Sequence, residues 1–193
     1  MTKKRLIVGI TGASGAAYGL AALRALKSLD VEAHLVVSRS GQITVAHELE
    51  LKFSELSALA AVTYKVDDIG AAISSGSFAT MGMLVAPCSI RTLSEIASGV
   101  TSSLLSRAAD VVLKERRKLV LMVRETPLHV GHLRSMTQVT EMGAIVMPPV
   151  PAFYARPGTI NDIVNHSVGR ALDLFGWDTK MVRRWGEEVG IGK

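Results

Sequence analysis

Gly9, Gly12, Gly15 and Gly19 surround the segment Thr11-Gly12-Ala13-Ser14-Gly15. Glycine lets a backbone approach an anion closely, and a helix that starts there adds free N–H groups and a positive dipole end. Ser14 adds a hydroxyl donor. The chemistry is that of an anion cradle; a tight turn without a ligand is the competing reading. The spacing matches neither the dinucleotide fingerprint G-x-G-x-x-G nor a phosphate loop ending in Gly-Lys-Ser/Thr. The second apolar run ends in Ser38-Arg39-Ser40, with no acidic residue to hold a ribose diol, which argues against NAD. Arg39 could hold a 2′-phosphate, so NADP stays open. A short-chain reductase would need Tyr-x-x-x-Lys, but Tyr18, Tyr64 and Tyr154 are followed four residues later by Ala22, Asp68 and Gly158.

Other residues of the right type stand at the ends of apolar runs. Pro87-Cys88-Ser89-Ile90-Arg91-Thr92 offers the Ser89 and Thr92 hydroxyls to a phosphate or a ring carbonyl, and Ser89 equally suits a helix N-cap. Cys88, with no histidine near it in sequence, reads as a packed thiol. The pair Arg124-Glu125 follows the strongly apolar Leu119–Val123, where α/β ligands bind. Arg107, Lys114, Arg116, Arg117 and Lys118 form a basic cluster that also reads as a solvated face with local ion pairs. Arg170 and Tyr154, if they converge, make a phosphate clamp. Glu48 lies in a partly apolar stretch, where a raised pKa would suit it to acid or base work; an exposed helix carboxylate is the alternative. His34, His47, His129, His132 and His166 show no ligand pattern, and no Asp-Asp-x-x-Asp motif occurs, so no metal site is expected.

Composition bounds what these residues can serve. A chain of 193 residues with 48% hydrophobic and 20% charged residues suits one domain with a sizeable core and excludes bulk disorder. Only 5% is aromatic and the net charge is +5, which fits small anions better than a nucleic-acid groove. The single cysteine excludes an internal disulfide and a cysteine zinc cage. The opening Met-Thr-Lys-Lys-Arg and Leu6–Ile10 hold too short an apolar run for a signal peptide, and no segment nears the roughly 20 apolar residues of a membrane span. The expected compartment is the cytoplasm.

The elements that must position these residues alternate. Strands are expected at Leu6–Ile10, Val31–Ser38, Met83–Ala86 (broken by Pro87), Leu119–Val123 and Ala144–Met147. Helices are expected at Ala16–Leu29, within 41–60, at Thr92–Ala97, Leu104–Lys114 and Leu133–Met142, and at Ile160–Phe175. Short strands separated by helices imply right-handed crossovers, hence an α/β, three-layer αβα domain with a parallel sheet. Ile69–Gly82 and Pro148–Gly158 read as site-forming loops. The tail after Gly176 can pack on a neighbouring subunit.

In order and spacing, GITGASGAAYG (Gly9–Gly19), Ser38 with Glu48 ten residues on, SSGSF (Ser74–Phe78), PCSIRTL (Pro87–Leu93), RAADVVLKERRKLVLMVRE (Arg107–Glu125), PAFY (Pro151–Tyr154) and Arg170 form a specific set. Over nearly its whole length the chain resembles the flavin prenyltransferases, the UbiX/Pad-type partners of aromatic-acid decarboxylases. The Arg107–Leu121 stretch looks like the subfamily encoded beside hydroxyarylic-acid decarboxylases.

That resemblance implies a single flavodoxin-like, Rossmann-like αβα domain over 1–193, and a homododecamer built from trimers with sites at subunit contacts. It implies binding of reduced FMN and dimethylallyl monophosphate, and metal-independent transfer of the prenyl group to flavin N5 and C6. The prenylated FMN would then serve a UbiD-type decarboxylase. By position, Gly12, Ala13, Ser14, Ser38, Ser89, Ile90, Arg91, Thr92 and Arg124 would contact FMN. Lys114, Arg124, Glu125, Tyr154 and Arg170 would contact the prenyl phosphate, and Glu48 with Ser14 would move protons. Two positions depart from relatives: Ile69 stands near a position often held by Trp, and Arg91 replaces a small residue found in some. A flavin-dependent cysteine decarboxylase of related fold and a non-catalytic FMN carrier are the alternatives. The former carries Pro-x-Met-Asn-x-x-Met-Trp, where this sequence has Pro148-Pro149-Val150-Pro151.

Overall fold

The computed structural model describes residues 3–191. Met1, Thr2, Gly192 and Lys193, which the single-domain and tail expectations include, lie outside the described residues. Six parallel strands, β1 (Arg5–Ile10), β2 (Glu32–Val37), β3 (Val62–Tyr64), β4 (Gly82–Cys88), β5 (Lys118–Val123) and β6 (Ile145–Val146), form one sheet in the order β3-β2-β1-β4-β5-β6. Seven helices connect and cover them: α1 (Ala16–Ser28), α2 (Arg39–Leu49), α3 (Phe53–Ser57), α4 (Ile90–Ala97), α5 (Leu104–Lys114), α6 (Val130–Glu141) and α7 (Ile160–Asp173). Without the short edge strand β3, the order reduces to the flavodoxin pattern 2-1-3-4-5. Strand order reverses between β1 and β4, so the topological switch point lies beside the glycine turn that follows β1.

The four central strands, β2, β1, β4 and β5, are buried on both faces, as the interior of a parallel sheet requires. Side chains alternate between two cores. Leu6, Val8, Ile10, Leu84, Val120 and Met122 pack with Leu23, Leu26 and Leu172 beneath α1 and α7. Ile7, Met83, Val85, Leu119 and Leu121 pack with Leu93, Leu105 and Val112 beneath α4 and α5. Leu23 and Leu172 are fully buried. Truncating either to Ala costs about 2–5 kcal/mol.

Two expectations need correction. Pro87 does not end its strand. β4 runs on to Cys88, and the ladder to β5 shifts register between Val85 and Cys88, which accommodates a residue without an N–H. β3 was not expected; it is a three-residue edge strand with Val62 exposed, so it carries almost no periodic signal. The described part of the tail packs on its own chain: Trp177 is buried and stacks on Phe175, and Arg184 grips Asp173 of α7 with both nitrogens at 3.0 Å. No helix among the described residues is long and apolar enough to cross a membrane.

Candidate active site

The turn after β1 enters α1 through Gly15, whose φ of 110° is left-handed and favours glycine. No side chain of the turn itself caps the helix. Glu48, near the end of α2, does so from 33 residues away. Its Oε2 accepts from the Gly15 and Ala16 amides, each at 2.8 Å. The first free N–H groups of α1 are therefore taken by a protein carboxylate. The turn is a carboxylate cradle, and the anion expected there from sequence is Glu48 itself.

The charge state of Glu48 follows from this seat. Burial pushes its pKa up, but the Ser14 hydroxyl, the two amides and the Arg124 charge together outweigh it and hold the carboxyl below its ordinary value. This corrects the expected raised pKa. The Arg124 charge also reaches Tyr18, whose phenol is nonetheless pushed up, mainly by burial. Arg124 is fixed to the end of β4 by its amide, which donates to the Cys88 carbonyl at 3.0 Å.

Beyond the carboxyl ends of β2 and β4 lies a cavity of about 460 Å³. Ser38, Ser40, Ser89, Thr92, Ser102 and Ser103 line it, with Arg39 and Arg91. Three helices begin at its wall. Ser38 caps α2 by accepting from the Gly41 amide at 3.0 Å, Ser89 caps α4 by accepting from the Thr92 amide at 3.4 Å, and Ser103 caps α5 by accepting from the Ser106 amide at 3.3 Å. Three positive dipole ends and a ring of hydroxyls suit a phosphate. Gly12 borders Ser40 of this wall; a Cβ there would come within 2.6 Å of Ser40 Cβ, so only glycine fits. Arg39 pairs with Asp67 at 2.8 Å on the surface, and exposed Arg91 pairs with the partly buried Glu95 at 3.0 Å.

Against known proteins, the Flavoprotein family model matches residues 1–172. The flavin prenyltransferase UbiX of Thauera aromatica is 55% identical over 181 residues, covering 94% of this chain and 93% of that protein. This chain belongs to the UbiX flavin prenyltransferase family. The solved structure of AnUbiX (PadA1) in complex with FMN and dimethylallyl pyrophosphate is 49% identical, with a TM-score of 0.95 over 96% of this chain and 98% of that one. A dodecameric FMN-dependent UbiX-like decarboxylase from Escherichia coli O157:H7 is 49% identical, with a TM-score of 0.92 over 94% and 98%.

In this UbiX-family chain the expected residues fall into two groups. Gly12, Ala13, Ser14, Ser38, Ser89, Ile90, Arg91, Thr92, Arg124 and Glu48 gather at the carboxyl ends of β1, β2, β4 and β5, and Glu125 follows directly, its carboxylate accepting from the Thr126 amide at 3.0 Å. Lys114, Tyr154 and Arg170 do not join them within the chain. Lys114 ends α5, eleven residues and about 16 Å along that helix from the cavity, and pairs with Glu115 at 2.6 Å. Arg170 lies ten residues into α7, paired with Asp173 at 2.9 Å. Tyr154 contacts the same helix face one turn earlier, its hydroxyl 3.4 Å from His166 Nε2, with Trp185 edge-on at 5.6 Å. Glu48, Arg124, Glu125, Lys114, Tyr154 and Arg170 are all exposed in the single chain. Ile69 is half exposed on its loop.

Sequence reasoning missed Thr11, Tyr18, Ser103 and His166. Thr11 had a signal: a hydroxyl directly between a strand end and the glycine turn. His166 had none, because the loop that brings Tyr154 onto it is irregular. Among the described residues no group of three or more His, Cys, Asp or Glu is placed to hold a metal ion.

Proposed function

We propose that this chain joins the dimethylallyl group of dimethylallyl monophosphate to N5 and C6 of reduced FMN, releasing phosphate. The observation that carries the reading is Glu48, held ionised on the α1 amides beside Arg124, with a hydroxyl-lined cavity whose wall residue Ser40 packs on Gly12 of the same turn. The residues fit FMN. The serine caps of α2, α4 and α5 would hold its phosphate, and Gly12, Ala13, Ser14, Ile90, Arg91 and Arg124 would line the flavin ring. Bound reduced flavin supplies the electron-rich atoms that take the prenyl carbons.

The chain's own groups handle charge and protons. Arg124, Lys114, Arg170 and the Tyr154 hydroxyl stabilise the negative charge that develops on the departing phosphate, without a metal. Glu125, next to Arg124 in sequence, would contact the same prenyl phosphate. Ser14 donates to Glu48, so the ionised carboxylate draws a proton through that hydroxyl as the ring closes. Because the phosphate-binding residues are exposed and separated in one chain, neighbouring copies complete and dry the site in a homododecamer of single-domain subunits, residues 1–193. Prenylated FMN then passes to a UbiD-type aromatic-acid decarboxylase in the cytoplasm.

The test is mass spectrometry of the flavin after anaerobic incubation with reduced FMN and dimethylallyl monophosphate. A flavin heavier by one prenyl unit is expected. Unmodified FMN alone defeats the reading.

A further inference from the structure

The cavity wall and the Glu48 seat belong to different strand ends, and one side chain links them. Thr11, 1% exposed, lies at the end of β1 just before the glycine turn. Its hydroxyl donates to the Pro87 carbonyl at 2.7 Å and accepts from the Ser89 amide at 2.8 Å. The Thr11 amide also donates to the Pro87 carbonyl, at 3.3 Å. The links continue on both sides. Thr44 Oγ1 donates to the Ser40 carbonyl at 3.0 Å and, in a longer forked contact, to the Gly12 carbonyl at 3.3 Å, which sets the turn against α2, the helix that carries Glu48. The Cys88 carbonyl holds the Arg124 amide. Thr11 thus sits mid-way in a chain of contacts from α2 to β5, across the switch point.

We infer that Thr11 is a positioning residue for flavin binding, its buried hydroxyl locking the glycine turn to the Ser89 turn so that both present one preformed cradle; this rests on the prenyltransferase reading above. Two features make the hydroxyl specific. Only a group that donates and accepts at once can serve both Pro87 and Ser89. Without it, the Pro87 carbonyl keeps the Thr11 amide as a partner, but the Ser89 amide is left unpaired at the N-cap of α4, where Ser89 must aim its own hydroxyl. Loss of the lock frees the Ser89 turn to move relative to the glycine turn, and binding then has to fix what the fold no longer fixes.

The experiment titrates FMN, followed by quenching of flavin fluorescence, into Thr11→Val and Thr11→Ser, with melting temperatures measured without flavin. Thr11→Ser is expected to bind within about twofold of wild type. Thr11→Val is expected to bind about tenfold or more weakly, in line with one orphaned buried donor. The same variant should regain most of its turnover at saturating FMN, with an unchanged KM for dimethylallyl monophosphate. Wild-type FMN affinity in Thr11→Val overturns the inference, as does equal weakening in both variants. If Thr11→Val does not fold, Thr11→Cys, which keeps a weak donor, is judged by the same criteria: intermediate affinity supports the inference and wild-type affinity overturns it. Because the readout is FMN binding, failure here leaves the prenyl-transfer reading standing, and failure of wild type to prenylate FMN leaves the Thr11 result legible.

Discussion

Glu48 Oε2 lies 2.8 Å from the amide nitrogen of Gly15. A helix start that would otherwise be open to a ligand anion is filled by the protein's own carboxylate.

Glu48→Gln keeps an oxygen for the two amides but removes the charge. FMN affinity is expected to stay within a few-fold of wild type while prenyl transfer slows about a hundredfold or more, the range for a proton-transfer group. Glu48→Ala leaves both amides without their acceptor and should also lower stability by about 0.5–2 kcal/mol, as loss of a cap does. Single-turnover kinetics and thermal melts separate the two effects. Unchanged turnover in Glu48→Gln would assign the proton step to another group.

The pH dependence has a definite sign. The folded pKa of Glu48 lies below its ordinary value near 4.5, so its stabilising contribution is complete above 4.5 and is lost as pH falls from there through the folded pKa. The difference in melting temperature between wild type and Glu48→Gln should be constant near neutrality and shrink below about pH 4.5. A difference that instead shrinks as pH rises through neutrality would mean a raised pKa and a protonated Glu48.

Lys114 and Arg124 lie at opposite ends of the sheet, since β5 between them rises about 20 Å. If they serve one phosphate, they come from different copies. Lys114→Ala and Arg124→Ala should each lose most prenyl transfer. Unfolding and refolding them together should restore a fraction of it, because some mixed sites are intact. No recovery on mixing would place Lys114 outside the site.

Much of the fold was legible, because it rests on local patterns. α5 has the bounds its periodicity predicts, Leu104–Lys114, with Ser103 as its cap. β1 is a short, largely apolar run that stops just before Thr11-Gly12. Where the sequence misled, the deciding contact was distant. The seat of Glu48 depends on a 33-residue separation, and so its pKa was expected to move the wrong way. Pro87 reads locally as a strand breaker, but its missing N–H falls where the β4–β5 ladder changes register. Tyr154 reaches α7 at His166, one turn before Arg170, a contact that spacing in the sequence does not announce.

Arg170 shares Asp173 with Arg184, so Arg170 and the tail are coupled through one carboxylate. Arg170→Ala should weaken use of dimethylallyl monophosphate by about 1.5–3 kcal/mol, the range for a charged hydrogen bond, and leave FMN affinity unchanged. Steady-state kinetics with varied prenyl substrate checks this. An unaltered KM and kcat would remove Arg170 from the site.

Burial pushes the Cys88 thiol up to about 12. The folded protein should therefore resist alkylation by iodoacetamide at mildly alkaline pH and react only when unfolded. Rapid labelling of the native protein would show that β4 opens at its carboxyl end.

The most direct test of the central claim is a crystal structure with FMN bound. The account predicts the FMN phosphate within hydrogen-bond distance of the hydroxyls and amides around Ser38, Ser89 and Ser103, with Glu48 still on the Gly15 and Ala16 amides. A phosphate seated on those two amides, with Glu48 displaced, would contradict it.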